Sequence, residues 1–435
     1  VMTSANLSDE PIVYRDDDTL RTLCGIADLF LAHDRRIHAP CDDSVIRVFR
    51  THPLMMRRSR GHVPRMVTVP ELSGPVLALG GELKAAACLA AGTGACMSRH
   101  VGDLKGEATL ASLEETVGAL ERLTGIVPRV IAHDLHPDYR STLLADKYPG
   151  LPRVAVQHHH AHLASCMAEN RLDGEVIGVI FDGAGYGPDG TVWGGEFLVG
   201  GFERFSRAGS LLPMRLPGGD AAAREPYRMA ISLLHVLHGD DLFTVPLDCL
   251  ARVGEGERRL FLQMLARGLN SPLTSSCGRL FDGVAALLGV RQVMSYEGQA
   301  AIELEGVAER GTPGEPWPLP IVAGDDRLIL DWRPLVAALL SDLAAGRPAC
   351  DIAATFHLSL AAGTAALCGE IRRQSGLGCV VLSGGVFQNR LFSEQLVSLL
   401  AADGFQVFCH RLVPPGDGGL ALGQAIIAGR SQTCV

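Results

Sequence analysis

The apolar positions of this chain fall into short runs closed by glycine, and the runs recur in two similar series. The first series opens with Val76-Leu77-Ala78-Leu79, turns at Gly80-Gly81 and returns over residues 87–90. A run, a glycine pair and a second run predict two strands joined by a tight turn. Residues 107–123 then carry Leu110, Leu113, Val117, Leu120 and Leu123 at helical spacing, with Gly125 placed as a left-handed stop. Val130-Ile131-Ala132 predicts a further strand ending in His133-Asp134-Leu135-His136-Pro137. The second series opens with the apolar run 176–181, meets glycines over 183–187 and returns along 191–199. Late in it, the strand-like run 379–382 enters Ser383-Gly384-Gly385-Val386-Phe387-Gln388-Asn389, and 390–400 has helical spacing. The likeness is of pattern and not of letters, so duplication and two unrelated α/β domains fit it equally well. Ahead of both series, Ile12-Val13, 27–32 and 45–49 read as strand pieces among polar turns, too few to make a domain alone. The basic stretch Arg57, Arg58, Arg60, Arg65 and the breakers Pro70, Gly74, Pro75 mark a boundary. The expected segments are 1–67, 68–175 and 176–435.

Composition narrows the class. The chain has 435 residues, room for roughly three domains. With 47% hydrophobic and 20% charged residues it is no disordered chain. A net charge of −9 argues against a broad nucleic-acid surface. No apolar run approaches the ~20 residues a spanning helix needs, and the 12 cysteines show no Cys-x-x-Cys pair. A cytoplasmic protein that binds neither membrane nor nucleic acid is the expectation.

The sharpest chemical signal is Gln157-His158-His159-His160-Ala161-His162, at the junction of a short apolar run and a helical one. His158 and His162 are four apart, so a helix sets both imidazoles on one face, as two ligands of one metal require. His159 and His160 point elsewhere. A solvated or capping His-rich helix start is the plainer alternative. Oxygen ligands should come from loops, and Asp182 and Asp417, each beside glycines, are the candidates; either could instead be an ordinary turn residue. Two nitrogens and two oxygens suit Fe(II), Zn or Mn. A metalloprotease is disfavoured, because the run lacks the glutamate of His-Glu-x-x-His. There is no Walker loop, but glycine backbone at 80–84, 183–187 and 384–385 could hold phosphate, with Lys84 adding charge. Gly219 and Asp220, Gly278 and Asp282, and 296–300 open helical runs, where capping is the simpler reading.

Taken together, these motifs resemble those of the hydrogenase-maturation carbamoyltransferases, the HypF family. The matching stretches are residues 1–6 and 42–47, Gly80-Gly81-Glu82-Leu83-Lys84, 133–139, the His158–His162 run, Pro217-Gly218-Gly219-Asp220, Tyr296-Glu297-Gly298-Gln299, 383–390 and Asp417-Gly418-Gly419. The resemblance implies an α/β fold: the C-terminal part of a YrdC-like adenylating domain, then a two-lobed domain of the actin/sugar-kinase/Hsp70 class, related to threonylcarbamoyl transferases. It implies carbamoyl phosphate and ATP with Mg as substrates, a carbamoyl adenylate intermediate, and the C-terminal cysteine thiol of HypE as acceptor. It implies a divalent metal on His158, His162, Asp182 and Asp417, with catalytic roles for His158, His162, Asp182 and Lys84. Nucleotide would lie against Gly183, Gly185, Gly219, Asp220, Gly278, Asp282, Gly384, Gly385 and Asn389. Ser4, Asn6, Ser44, Arg47 and Arg58 would serve the adenylating part. The family's acylphosphatase domain, zinc fingers and first half of the YrdC-like domain are not in this sequence, so a truncated chain weak in adenylation is expected. Transfer to a small hydroxyl acceptor, or a nucleotide-binding scaffold without turnover, are the alternatives. Transfer to tRNA is set against by the charge.

Overall fold

The computed structural model describes residues 4–7 and 10–431. Two compact units emerge, Val1–Asp173 with His410–Val435, and Gly174–Cys409.

The first unit starts with a helix, α1 (Asp16–Leu23), and a two-stranded antiparallel ribbon, β1 (Val45–Phe49) and β2 (His52–Arg57). Three aspartates in the first turn of α1 complement the helix dipole. The strands expected at 12–13 and 27–32 do not form; among the described residues, neither stretch finds a partner strand. Beyond them lie β3 (Val67–Thr68), β4 (Val76–Ala78), β5 (Cys88–Ala91), β6 (Gly94–Met97), α2 (Glu107–Thr124), β7 (Val130–Asp134), α3 (Arg140–Leu144), β8 (Arg153–Val156) and α4 (His158–Glu169). The strands make one sheet in the order β3-β6-β5-β4-β7-β8. The β4–β5–β6 meander is antiparallel, and β7 and β8 run parallel to β4. α2 ends at Gly125 (φ 68°), as its spacing predicts, and lays Leu113, Val117 and Leu120 on Leu77, Leu89 and Ile131.

The second unit is built on β9 (Val176–Tyr186), β10 (Val192–Gly200) and β11 (Phe205–Leu211), another antiparallel meander. A small ribbon of β12 (Met214–Arg215) and β13 (Leu273–Thr274) joins beside β10. Between and after these strands come α5 (Asp220–Arg224), α6 (Pro226–His238), α7 (Asp248–Ala251), α8 (Glu255–Arg267), α9 (Cys277–Leu287) and α10 (Gln299–Ala308). β14 (Ile321–Ala323) and β15 (Leu328–Leu330) extend the β11 edge, and α11 (Arg333–Ala344) and α12 (Ala349–Ser375) follow. β16 (Cys379–Ser383), α13 (Arg390–Ala402) and β17 (Gln406–Phe408) complete the unit, with β16 parallel to β9 and β17 parallel to β16. The chain then re-enters the first unit as α14 (Leu420–Arg430).

The sheet cores β6-β5-β4-β7-β8 and β11-β10-β9-β16-β17 share strand order and strand directions. This agreement decides the open question for duplication, since unrelated domains have no reason to repeat both.

Several expectations are corrected. Residues 183–186 are not a turn: β9 runs on through Gly183 and Gly185 to Tyr186, and the hairpin turns at 187–190. The pairing of β9 with β10 shifts register between Trp193 and Gly195, and the crowded glycines there are Gly194 and Gly195 of β10. The helical run expected over 221–238 breaks at Glu225, because Pro226 has no N–H to continue α5. Residues 410–430 fall within the first compact unit, where α14 packs on α4 with Gly423 against Ala161. α12 does have the length and mean hydropathy (1.4) of a membrane span, but 78% of its apolar window is buried in the protein, as in a core helix.

Candidate metal centre

The histidine helix is placed by sheet register. β7 and β8 pair in parallel with Asp134 beside Val156, so the end of β7 adjoins the start of α4. Gln157 caps α4, its Oε1 accepting the His160 N–H at 2.8 Å. His158 and His162 share a face of α4 with ring centroids 4.9 Å apart, and both are fully buried. His159 and His160 are buried too, and the Gln157 amide lies 3.4 Å from His159 Nδ1. Asp134, which the sequence reading passed over, holds its Oδ2 2.7 Å from His158 Nδ1. A carboxylate can only accept, so Nδ1 carries the proton and Nε2 keeps its lone pair for a ligand role. Oδ1 of Asp134 accepts the His136 N–H at 2.9 Å, which fixes the carboxylate in turn.

Asp417 arrives from the turn preceding α14. Its Oδ1 stands 3.7 Å from His158 Nε2 and 3.6 Å from His162 Nε2. These separations are too long for hydrogen bonds. They match the roughly 3.4 Å between two ligand atoms that each lie about 2.1 Å from one tetrahedral ion. The ligand-capable atoms of the three side chains fall within 4.8 Å of one another. The donor set and spacing therefore fit a divalent metal.

Three features of α4 hold the Asp417 turn. Ser165 Oγ donates to Gly419 O at 2.8 Å. Glu169, also unforeseen, accepts the N–H groups of Arg411, Leu412 and Val413 at 3.2, 2.6 and 3.3 Å, with His410 Nδ1 2.5 Å away. Gly423 lets α14 close on α4: a Cβ there would sit 1.8 Å from Ala161 O. Gly81 packs on Asp417, and the loop around it is tied by Gln424, which bonds both N and O of Gly80. Lys84 lies on this loop in a left-handed conformation (φ 48°), near Gly418.

In the second unit, Asp182 is a strand residue of β9. Its Oδ1 accepts from Gly183 N at 2.8 Å and Gly385 N at 3.1 Å. Gly384 (φ 103°) and Gly385 let the loop after β16 pass close to β9: a Cβ on Gly384 would lie 2.2 Å from Phe181 O, and one on Gly385 2.9 Å from Asp182 Oδ1. Gly278 serves the same end for α9, with Gly183 Cα 3.0 Å from its would-be Cβ. Asn389 is engaged at both ends of its amide: Oδ1 caps α13 by accepting from Phe392 N, and Nδ2 donates to His357 Nε2. Gly219 (φ 57°) precedes α5, and Asp220 is exposed in its first turn. Asp282 is buried and paired with Arg279 at 2.8 Å; burial pushes its carboxyl up to about 6, against the pull of Arg279. It faces a guanidinium of its own helix, which the spacing of three residues could have revealed.

The residues expected in the adenylating part are drawn into local structure. Ser4 Oγ donates to Asn6 Oδ1, and Asn6 Nδ2 to Leu7 and Glu10 carbonyls. Ser44 Oγ donates to Arg60 O and accepts from Ser59 N. Arg47 lies on β1. Arg58 is buried and donates to Arg65 O, and desolvation lowers its guanidinium. Of the expected stretch 1–6, Val1, Met2 and Thr3 lie outside the described residues.

Three family matches cover this architecture in order. Residues 1–59 match a Sua5/YciO/YrdC family described as telomere recombination. Residues 71–169 match the HypF Kae1-like domain, and 178–424 the carbamoyltransferase Kae1-like domain, second subdomain. Carbamoyltransferase HypF2 of Cupriavidus necator is 42% identical over 98% of the chain, which spans 56% of that relative's length. A carbamoyltransferase HypF homolog of the same organism is 42% identical over 85% of the chain and 95% of its own length. A crystal structure of full-length HypF in a phosphate- and nucleotide-bound form is 38% identical, covers 98% of this chain and 66% of its own, and superposes with a TM-score of 0.92. A sequence that repeats its strand plan around a histidine helix, and matches the subdomains of one family end to end, belongs to that family: the chain is a member of the HypF carbamoyltransferases.

Proposed function

We propose that this chain transfers a carbamoyl group to a thiol in hydrogenase maturation, at a metal held by His158, His162 and Asp417 with Asp182 as the fourth ligand. The observation that carries the reading is the spacing of the two imidazole Nε2 atoms from Asp417 Oδ1, which suits ligands of one ion and not hydrogen-bond partners. A divalent metal there would polarise the carbamoyl carbonyl as a Lewis acid. Asp134 keeps a His158 proton on Nδ1 and so leaves Nε2 as the ring nitrogen for a ligand role. Lys84 supplies charge for the phosphate that leaves.

The donor is carbamoyl adenylate, made from carbamoyl phosphate and ATP in a YrdC-like site to which Ser4, Asn6, Ser44, Arg47 and Arg58 would contribute. The acceptor is the C-terminal cysteine of a HypE-type protein. Its sulfur bonds to the carbamoyl carbon, the carbon–oxygen bond to phosphate breaks, AMP leaves with that electron pair, and the thiol proton passes to solvent. Gly183, Gly185, Gly219, Asp220, Gly384 and Gly385 line the nucleotide. The family membership and the nucleotide-bound relative support this reading.

The test supplies carbamoyl adenylate and a peptide ending in cysteine, with an aminoglycoside as the rival acceptor. Thiocarbamate on the peptide, seen by mass spectrometry, is the expected result. Carbamoylation of the hydroxyl compound alone, or of neither, overturns the proposal. His158→Ala should abolish the metal found in the purified protein; equal metal in both proteins removes the site.

A further inference from the structure

Arg279 occupies the third position of α9, nine-tenths buried. Burying a guanidinium is costly unless its donors are matched. Here one contact is made, Nη2 to Asp282 Oδ2 at 2.8 Å, while Nε has no partner. A guanidinium has five N–H donors, and the buried Nε–H of this one is left unmatched.

Its surroundings say what would match it. Nη2 lies 3.8 Å from where a Cβ on Gly183 would be, so it faces a strip of β9 that carries no side chain. Gly183 is half-buried, so this face of β9 keeps some access to solvent. The first turn of α9 reaches the same strip. Gly278 packs on Gly183, and Ser276, the helix cap, bonds Asp182 O at 2.9 Å and Gly183 O at 2.7 Å. A buried guanidinium and a helix N-terminus thus converge beside a bare backbone. Each favours an anion with several oxygens, and a planar guanidinium can give two parallel bonds to phosphate. Asp282 is the neighbour that orients the guanidinium and offsets its charge.

We infer that Arg279 binds a phosphoryl oxygen of the nucleotide at the Gly183 strip, and that Asp282 is a positioning residue for Arg279 and not itself a nucleotide ligand. This rests on the nucleotide reading given above but adds a residue to it.

Arg279→Ala alone would strand a buried carboxylate and confuse folding with binding. The paired change Arg279→Met with Asp282→Leu removes both charges at similar volume and keeps the core apolar. Calorimetric titration of the whole chain would use inorganic phosphate, ATP and adenosine. The expected result is an unchanged melting temperature, unchanged adenosine affinity, and ATP and phosphate affinities about ten- to a hundredfold weaker. Arg279→Lys, which keeps the charge but not the fork, should fall between. A folded double variant that binds ATP and phosphate as the parent does overturns the inference, as does a parent that binds ATP no better than adenosine and binds no phosphate. Should the parent bind phosphate through Arg279 yet ignore both ATP and adenosine, the nucleotide reading fails while the anion site stands.

Discussion

The two units repeat one sheet and put it to different uses. In each, an antiparallel meander is followed by two parallel strands, β7 and β8 or β16 and β17. In each, the last strand leads to a helix, α4 in one case and α14 in the other, and both helices belong to the first unit. His158 and His162 lie on α4, and Asp417 just ahead of α14. The three candidate ligands are therefore drawn from equivalent points of the two repeats. The first unit makes its candidate site from side chains: two imidazoles of α4, of which His158 is oriented by Asp134, and one carboxylate held in place by a turn that Ser165 and Glu169 tether. The second makes its loops from backbone, with Gly183, Gly278, Gly384 and Gly385 at points of close approach to β9. The repeated framework is common to both, and what differs is the residue types at its corners: ligand-capable side chains in one and bare backbone in the other.

Glycine substitutions break this contrast most severely. A Cβ at Gly423 would meet Ala161 O at 1.8 Å, backbone against helix, where nothing flexible can give. Gly423→Ala should destabilise the first unit by about 3 kcal/mol and also lose the metal, since the contact joins the helices that bring the three ligands together. Gly384→Ala meets Phe181 O at 2.2 Å and carries a positive φ besides, so a loss of similar size is expected in the second unit. There the first unit's amides should keep their protection. Hydrogen exchange resolved by segment would check both, and loss of protection in both units from either change would show that they do not unfold separately.

The pattern of the sequence was sufficient for elements whose periodicity is strong. α2, α4, α13 and the meander strands lie within a few residues of where spacing puts them. The errors have a common cause. Glycines at 183–187 read as a turn because a strand with many glycines is rare, and only the crowding around Gly194 and Gly195 explains why β9 and β10 need bare backbone. The apolar pieces at 12–13 and 27–32 had no partner that a local pattern could reveal. Asp134 and Glu169 act through neighbours distant in sequence, one across the β7–β8 register and the other through residues 411–413. That His158, His162 and Asp417 come close together was legible because two imidazoles four apart share a helix face and an aspartate among glycines marks a loop.

Titration sharpens the comparison from the side of the second unit, which buries two groups with opposed responses. Burial holds His357 down to about 4, partly offset by its bond to Ala353 O, and burial raises Asp282 to about 6, partly offset by Arg279. For His357 the unfolded state binds more protons between pH 4 and 6.5, so stability rises with pH through that window. For Asp282 the folded state binds more between its ordinary 3.8 and about 6, so its contribution is complete below 3.8 and is lost as pH rises through 6. Each amounts to up to about 3 kcal/mol, with opposite signs. Denaturant midpoints from pH 4 to 7 should show the two largely cancelling in the parent. Asp282→Asn should leave a slope rising with pH, and His357→Gln one that falls; slopes unchanged by both substitutions would mean these groups do not titrate as their burial dictates.

The smallest effect tests how the proposed ligands are held. His158 is held by a side chain, Asp134, whose Oδ2 lies 2.7 Å from the ring nitrogen. Asp182 depends on backbone N–H groups of Gly183 and Gly385, which no side-chain replacement elsewhere removes. Asp134→Asn keeps the volume and can keep a bond to Nδ1, but removes the negative charge that raises the basicity of Nε2. Metal affinity should weaken about 10- to 100-fold with little change in melting temperature. The measurement is competition with a chelator for added Zn or Co, with the Co absorption bands reporting any change in ligand field. An unchanged affinity would mean that packing alone orients His158. The two units would then hold their ligands in the same way, by the rigidity of the frame, and the distinction between a side-chain site and a backbone site would lose its physical basis.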